Sequence, residues 1–98
     1  MNADADGFAP PPFNPAAALV QLRRQLRELK LDERGVQFLL KGRPVAELKA
    51  GSAEIEARLV KRPAIAPVWT THPLKSAADV RRFTETVRLQ LGRWSADD

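Results

Sequence analysis

The sequence has no cysteine and no tyrosine, and only one methionine and one histidine in 98 residues. Without cysteine there is no disulfide framework, no thiolate nucleophile and no cysteine metal site, so stability has to come from a packed core. A lone histidine would leave any zinc site to scattered carboxylates. The glycines, at positions 7, 35, 42, 51 and 92, are seven or more residues apart, which excludes a GxGxxG turn or a P-loop. No apolar run approaches the ~20 residues that span a bilayer, and the opening MNADADGF puts acids where a secretory signal needs a basic and then an apolar stretch. These absences point to a cytoplasmic protein with no cofactor, no metal and no membrane partner.

Catalytic groups are equally scarce. The serines are Ser52, Ser76 and Ser95, and each has a plainer role in a turn, a helix cap and a tail. His72 has no neighbour in sequence that would make it a base, and no pocket pairing it with a carboxylate or serine is expected. Glu54 and Glu56 could form a carboxylate pair, but period-two acids read as the solvated side of a strand. The expectation is a protein that is not an enzyme.

What is present is a soluble-domain balance of 44% hydrophobic and 29% charged residues, with sixteen Lys/Arg against twelve Asp/Glu and a net charge of +4. All of that excess falls between residues 35 and 75, where seven basic residues face three acids; the flanks are balanced. Arginine supplies eleven of the sixteen cations. That usage suits phosphate binding, although an Ala- and Arg-rich composition also follows from a GC-rich genome.

MNADADGFAPPP predicts a disordered tail over residues 1–12. A single domain is expected over 13–94, with 95–98 a frayed end. Asn14 is a good N-cap, Pro15 suits the first helical position, and Leu19, Leu22, Leu26 and Leu29 form one stripe opposite Arg23, Arg24, Arg27, Glu28 and Lys30. Leucines opposed to arginines also suit a membrane-surface helix, but the stripe is needed to cover a sheet. After a break at Asp32–Gly35 the period changes from 3.6 to two. Strands follow with Val36, Phe38 and Leu40, then Ala46 and Leu48, then Ile55, Ala57 and Leu59 directed inward.

Register follows from keeping inward residues on one face. A three-residue loop at 42–44 pairs Leu40 with Ala46 and Phe38 with Leu48. A two-residue Gly51-Ser52 turn pairs Leu48 with Ile55 but sets Glu47 against Glu56; a shift of two would pair Glu47 with Arg58 at the cost of a longer loop, and the tight turn is preferred. The connector RPAIAPVWTTHP, residues 62–73, carries Pro63 and Pro67, so it reads as a strut with edge-strand potential around 65–71 in which Ile65, Val68 and Trp69 pack over the core. Ser76 and Asp79 then have capping-box spacing ahead of a helix with Val80, Phe83, Val87 and Leu91 on one stripe, stopped at Gly92 with Trp94 folded back.

The fold class expected is α+β: a two-layer α-β-β-β-α sandwich, with two helices on one face of a three-stranded antiparallel meander. Its core comprises the leucine stripe, Val36, Phe38, Leu40, Leu48, Ile55, Leu59, Val80, Phe83, Val87 and Leu91. This order resembles the topology of double-stranded RNA-binding domains, which implies phosphate contacts near the second helix. HPLKSAADVRRF stands where such domains carry a Lys-Lys-x-Ala-Lys run, so the resemblance is confined to topology.

In an up-down-up meander the first hairpin tip and the end of the third strand share an edge. Lys41, Arg43, Lys61 and Arg62 should then be neighbours, with Lys75 an addition. These five are the candidate anion or nucleic-acid contacts. The uncovered sheet face should show Leu39 and Val45 among Gln37, Lys41, Glu47, Lys49, Glu54, Glu56 and Arg58, with no aromatic for base stacking. Two functions follow: a noncatalytic protein-interaction module using that open face for a partner or for self-association, or a binder of RNA or DNA backbone at the basic corner.

Overall fold

The computed structural model describes residues 12–96. Its elements are α1 (Pro15–Glu28), β1 (Asp32–Arg34), β2 (Gln37–Leu40), β3 (Arg43–Ala50), β4 (Ile55–Val60), β5 (Trp69–Leu74) and α2 (Ala77–Ala96). The strands form one antiparallel sheet in the order β1-β2-β3-β4-β5. The α+β class is as expected, but the three-stranded meander is corrected to five strands, and the topology departs from α-β-β-β-α. Apart from Pro12, the tail expected over 1–12 lies outside the described residues, as do residues 97 and 98. No helix among the described residues is long and apolar enough to cross a membrane.

Helix α1 starts where local chemistry places it. Asn14 is extended, its Oδ1 accepts from the Ala17 N–H at 3.1 Å, and Pro15 occupies the first turn. Past the helix Lys30 turns left-handed (φ 73), and the chain enters β1 where a plain break was expected. Three charged residues, Asp32, Glu33 and Arg34, hold this edge because Glu33 bonds back to Arg23 and Arg27 of α1, the latter at 2.7 Å. Gly35 (φ 59) then turns the chain into β2, with Asp32 opposite Leu39.

The first hairpin solves its parity problem differently from the expected three-residue loop. Lys41 (φ 53) and Gly42 (φ 83) make a two-residue turn of the type that matches strand twist, and Leu40 pairs with Arg43. Continued strictly, that register would set Gln37 against Ala46 and drive Ala46 to the polar face. A bulge at Val45 resets it, so that Phe38 faces Ala46 and Gln37 faces Glu47. The expected Leu40–Ala46 and Phe38–Leu48 pairs are therefore absent.

The second hairpin is also corrected. Glu47 faces Arg58, Lys49 faces Glu56 and Ala50 faces Ile55, leaving residues 51–54 as the loop, with Gly51 N–H bonded to Glu54 O at 2.7 Å. Opposite charges across the strands, each pair contributing about 0.2–1 kcal/mol, win over the shorter Gly-Ser turn, which would have opposed Glu47 to Glu56.

Both helices feed one core. Leu22 and Leu26 from α1, and Phe83, Val87 and Trp94 from α2, pack with Phe38, Ala46, Leu48, Ile55, Ala57 and Leu59 of the sheet. Leu19, Leu29, Leu40, Val80 and Leu91 are half-buried at its margin. Val36, expected inside, is 45% exposed because it lies in the β1–β2 turn. Val45 and Leu39, expected on the open face, are buried, Val45 at the bulge in β3. Ile65 and Val68 are exposed and do not cover the core.

Helix α2 begins as its spacing predicts, with the Asp79 N–H donating to Ser76 Oγ at 3.1 Å. It does not stop at Gly92 but runs to Ala96, which places Trp94, only 6% exposed, in the core. Burying a large aromatic side chain contributes more than the ~1 kcal/mol that an interior glycine costs.

Two tests follow. A Cβ at Gly92 would meet nothing within 4 Å, so Gly92→Ala should stabilise the fold by about 0.5–1 kcal/mol in urea unfolding with unchanged m-value. Burial of Glu33 works against its charge, but hydrogen bonds from Arg27 and Arg23 and their positive charges prevail and hold the carboxyl below its ordinary 4.5. Its contribution is therefore present above pH 4.5 and lost as pH falls through the lower folded value. Unfolding titrations at pH 7 and pH 3 should show the gap between wild type and Glu33→Gln closing at the lower pH.

Candidate functional site

Three element ends meet at one corner of the sheet. The β2–β3 turn brings Leu40, Lys41 and Arg43, the segment leaving β4 brings Arg62 and Pro63, and the last turn of α2 brings Trp94 and Ser95. Together they line a cleft of about 460 Å³. The three cations are exposed and the indole beneath them is buried. Trp94 Nε1 donates to the Lys61 carbonyl over a long 3.4 Å, which ties the helix end to the segment that carries Arg62.

Neither Arg43 nor Arg62 has a salt bridge among the described residues. The negative end of the α2 dipole points to the same corner, but its roughly half charge is small beside the two guanidinium charges of Arg43 and Arg62. The two guanidinium groups offer planar forks of donors suited to phosphate or carboxylate.

Of the five candidates from sequence, the structure brings together Lys41, Arg43 and Arg62. Lys61 lies beside them and contributes its carbonyl to Trp94. Lys75 does not join them. It follows Leu74, which pairs with Ile55 at the opposite end of the β4–β5 ladder from Val60 and Trp69, five residues or about 17 Å away. Its backbone N–H donates to Asp79 Oδ2 at 2.9 Å. That bond first, with the hydrogen bonds and charge of Arg82 and the Ser76 hydroxyl, holds the Asp79 carboxyl below its ordinary value despite partial desolvation.

Sequence reasoning missed the cleft's floor. Trp94 continues the stripe Val80, Phe83, Val87, Leu91 at a spacing of three, a signal hidden by reading Gly92 as a stop.

His72 does sit in a concavity, contrary to expectation. A shallow pocket of about 210 Å³ is lined by His72, Asp79, Arg82, Phe83 and Thr86 among others. Thr70 Oγ1 donates to the Leu59 carbonyl at 2.9 Å and lies 2.9 Å from His72 Nε2. With its proton committed, the hydroxyl accepts from Nε2–H, so this nitrogen is a donor and cannot activate Thr70. Phe83 packs against the imidazole at 5.5 Å between centroids, and Asp79 is engaged at the helix start. The arrangement is that of a structural histidine. Among the described residues no three His, Cys, Asp or Glu side chains gather as a metal set.

The open sheet face carries a chain of contacts across four strands. Gln37 Nε2 donates to Glu47 Oε2 at 3.1 Å, Arg58 donates to Glu47 Oε1 at 3.2 Å, and the Arg58 guanidinium lies 4.8 Å from the Trp69 ring centroid. That face was expected to lack aromatics. It has Trp69 because β5 extends the sheet, but the ring is already occupied by Arg58.

Comparison with family models, curated proteins and solved structures finds no match for this chain, so the corner is read from its own chemistry. Arg43→Ala and Arg62→Ala, both at exposed positions, should each change unfolding stability by less than about 0.5 kcal/mol, whereas Trp94→Ala should cost about 3–5 kcal/mol, as measured by denaturant unfolding.

Proposed function

We propose that this domain is a noncatalytic binding module that holds the phosphate backbone of a nucleic acid in the cleft formed by Lys41, Arg43 and Arg62. The observation that carries the reading is the convergence of these cations from separate segments onto one concave site. The charge distribution along the chain supports it: residues 35–75 hold seven Lys/Arg against three acids and carry all of the net excess of +4. The open sheet face is a weaker candidate, since Glu47 with Arg58 and Lys49 with Glu56 neutralise one another there. Phosphate contacts of this kind position a backbone and carry no base sequence of their own.

Counterion release makes the reading quantitative. Phosphate contacts from Arg43 and Arg62 give a slope of about −1.8 in log K against log salt for a duplex, which is about a 12-fold loss of affinity between 50 and 200 mM salt. Fluorescence anisotropy with a labelled short RNA or DNA duplex checks this, and Arg43→Ala or Arg62→Ala should each reduce the slope by about 0.9. A duplex that shows no salt-sensitive binding at 50 mM overturns the reading and returns the domain to a protein-interaction role.

A further inference from the structure

The two edges of the sheet are built differently. β1 is three residues long, and all three are charged. Short, charged edges are the usual guard against pairing with another chain. β5 is six residues long, WTTHPL, and has no Lys, Arg, Asp or Glu. Just before it Ile65 is 92% exposed and Val68 is 60% exposed. The chain carries a net charge of +4, which disfavours close approach of like-charged surfaces of two copies, and β5 contributes no charge to that repulsion.

The phase of the β4–β5 ladder fixes which backbone groups of β5 are unspent. Lys61 N–H bonds to Val68 O at 2.9 Å, and hydrogen-bonded pairs alternate with non-bonded ones along an antiparallel ladder. Thr70, His72 and Leu74 therefore bond inward to Leu59, Ala57 and Ile55, their partners in register. Trp69, Thr71 and Pro73 direct their backbone groups away from the sheet. Pro73 sits where its missing N–H costs β4 nothing.

We infer that β5 pairs with β5 of a second copy of this chain, antiparallel about a two-fold axis at Thr71. In this register Thr71 exchanges both backbone bonds with the partner copy's Thr71. Each Trp69 N–H donates to the Pro73 carbonyl of the other chain, giving four bonds in which the proline serves only as acceptor. Side chains keep their faces. On the open face Trp69 stands across from Pro73 of the other copy, and on the core side Thr70 stands across from His72. A two-residue slip that opposes Trp69 to Thr71 also makes four bonds, but it overlaps three strand residues where the Thr71-centred register overlaps five. The result is a continuous ten-stranded sheet with neither long edge exposed.

Sedimentation equilibrium of the full chain tests this, with circular dichroism confirming that each variant is folded. The wild type should self-associate to a dimer. Thr71→Lys and Thr71→Glu each oppose like charges across the axis and should raise the dimer dissociation constant by about fivefold or more, the scale of one directly opposed like-charge pair. An equimolar mixture of the two variants should form heterodimers at or below the wild-type dissociation constant. A wild type that stays monomeric at the highest attainable concentration overturns the inference, as does a dimer unaffected by either substitution. Neither result depends on nucleic-acid binding.

Discussion

The register of β3 against β4 is the constraint on which the rest depends. It is set on the polar face, where Glu47 lies between Gln37 and Arg58 and Lys49 opposes Glu56. With that pairing, Ala46, Leu48, Leu59 and Ala57 face the helices, and each is buried. Carried three residues beyond Ala46 and Leu59, the same register brings Arg43 level with Arg62, and both line the cleft. A shift of two residues, the alternative with the tight Gly-Ser turn, moves the strands by about 7 Å and sets Arg43 level with Val60. Cross-strand pairs on the polar face, worth tenths of a kcal/mol, thus decide where the cations meet, because both registers satisfy the core face equally.

Parity is the second constraint, and the chain meets it at Val45. The tight turn at Lys41-Gly42 fits strand twist but implies the wrong partners for Phe38. One extra residue in β3 restores Ala46 to the core and leaves Arg43 at the corner. The bulge also increases local twist and bend, which suits a hairpin tip that has to reach the last turn of α2. Core packing, turn chemistry and the position of the basic residues are here one problem with one solution.

What the sequence disclosed was what is local. Asn14 and Pro15 announce α1, Ser76 and Asp79 announce α2, and period two gives the inward and outward faces of β2 to β4. The missing parts depend on partners distant in the chain. Asp32–Arg34 has no apolar period; it becomes a strand by pairing with β2, while Glu33 is tied to Arg23 and Arg27 of α1. The edge strand foreseen around 65–71 forms at Trp69–Leu74, shifted past Pro63 and Pro67, with Pro73 tolerated by its edge position. Gly92 carries a stop signal on its own, yet the helix continues because Trp94 has a buried place to go. The basic corner was legible as a topological argument from two strand ends. Its floor was not, because Trp94 enters only through the continuation of α2.

The corner separates what positions the site from what would act in it. Each cation follows or precedes a buried anchor: Lys41 comes after half-buried Leu40, Arg43 stands two residues before Val45, and Arg62 two residues after Val60. The anchors fix backbone positions through packing that resists displacement, while the Arg43 and Arg62 side chains stay exposed. On the proposed reading, an anion would meet two exposed guanidinium groups that need little desolvation to engage it. Trp94 belongs to both sets, packing in the core cluster and lining the cleft.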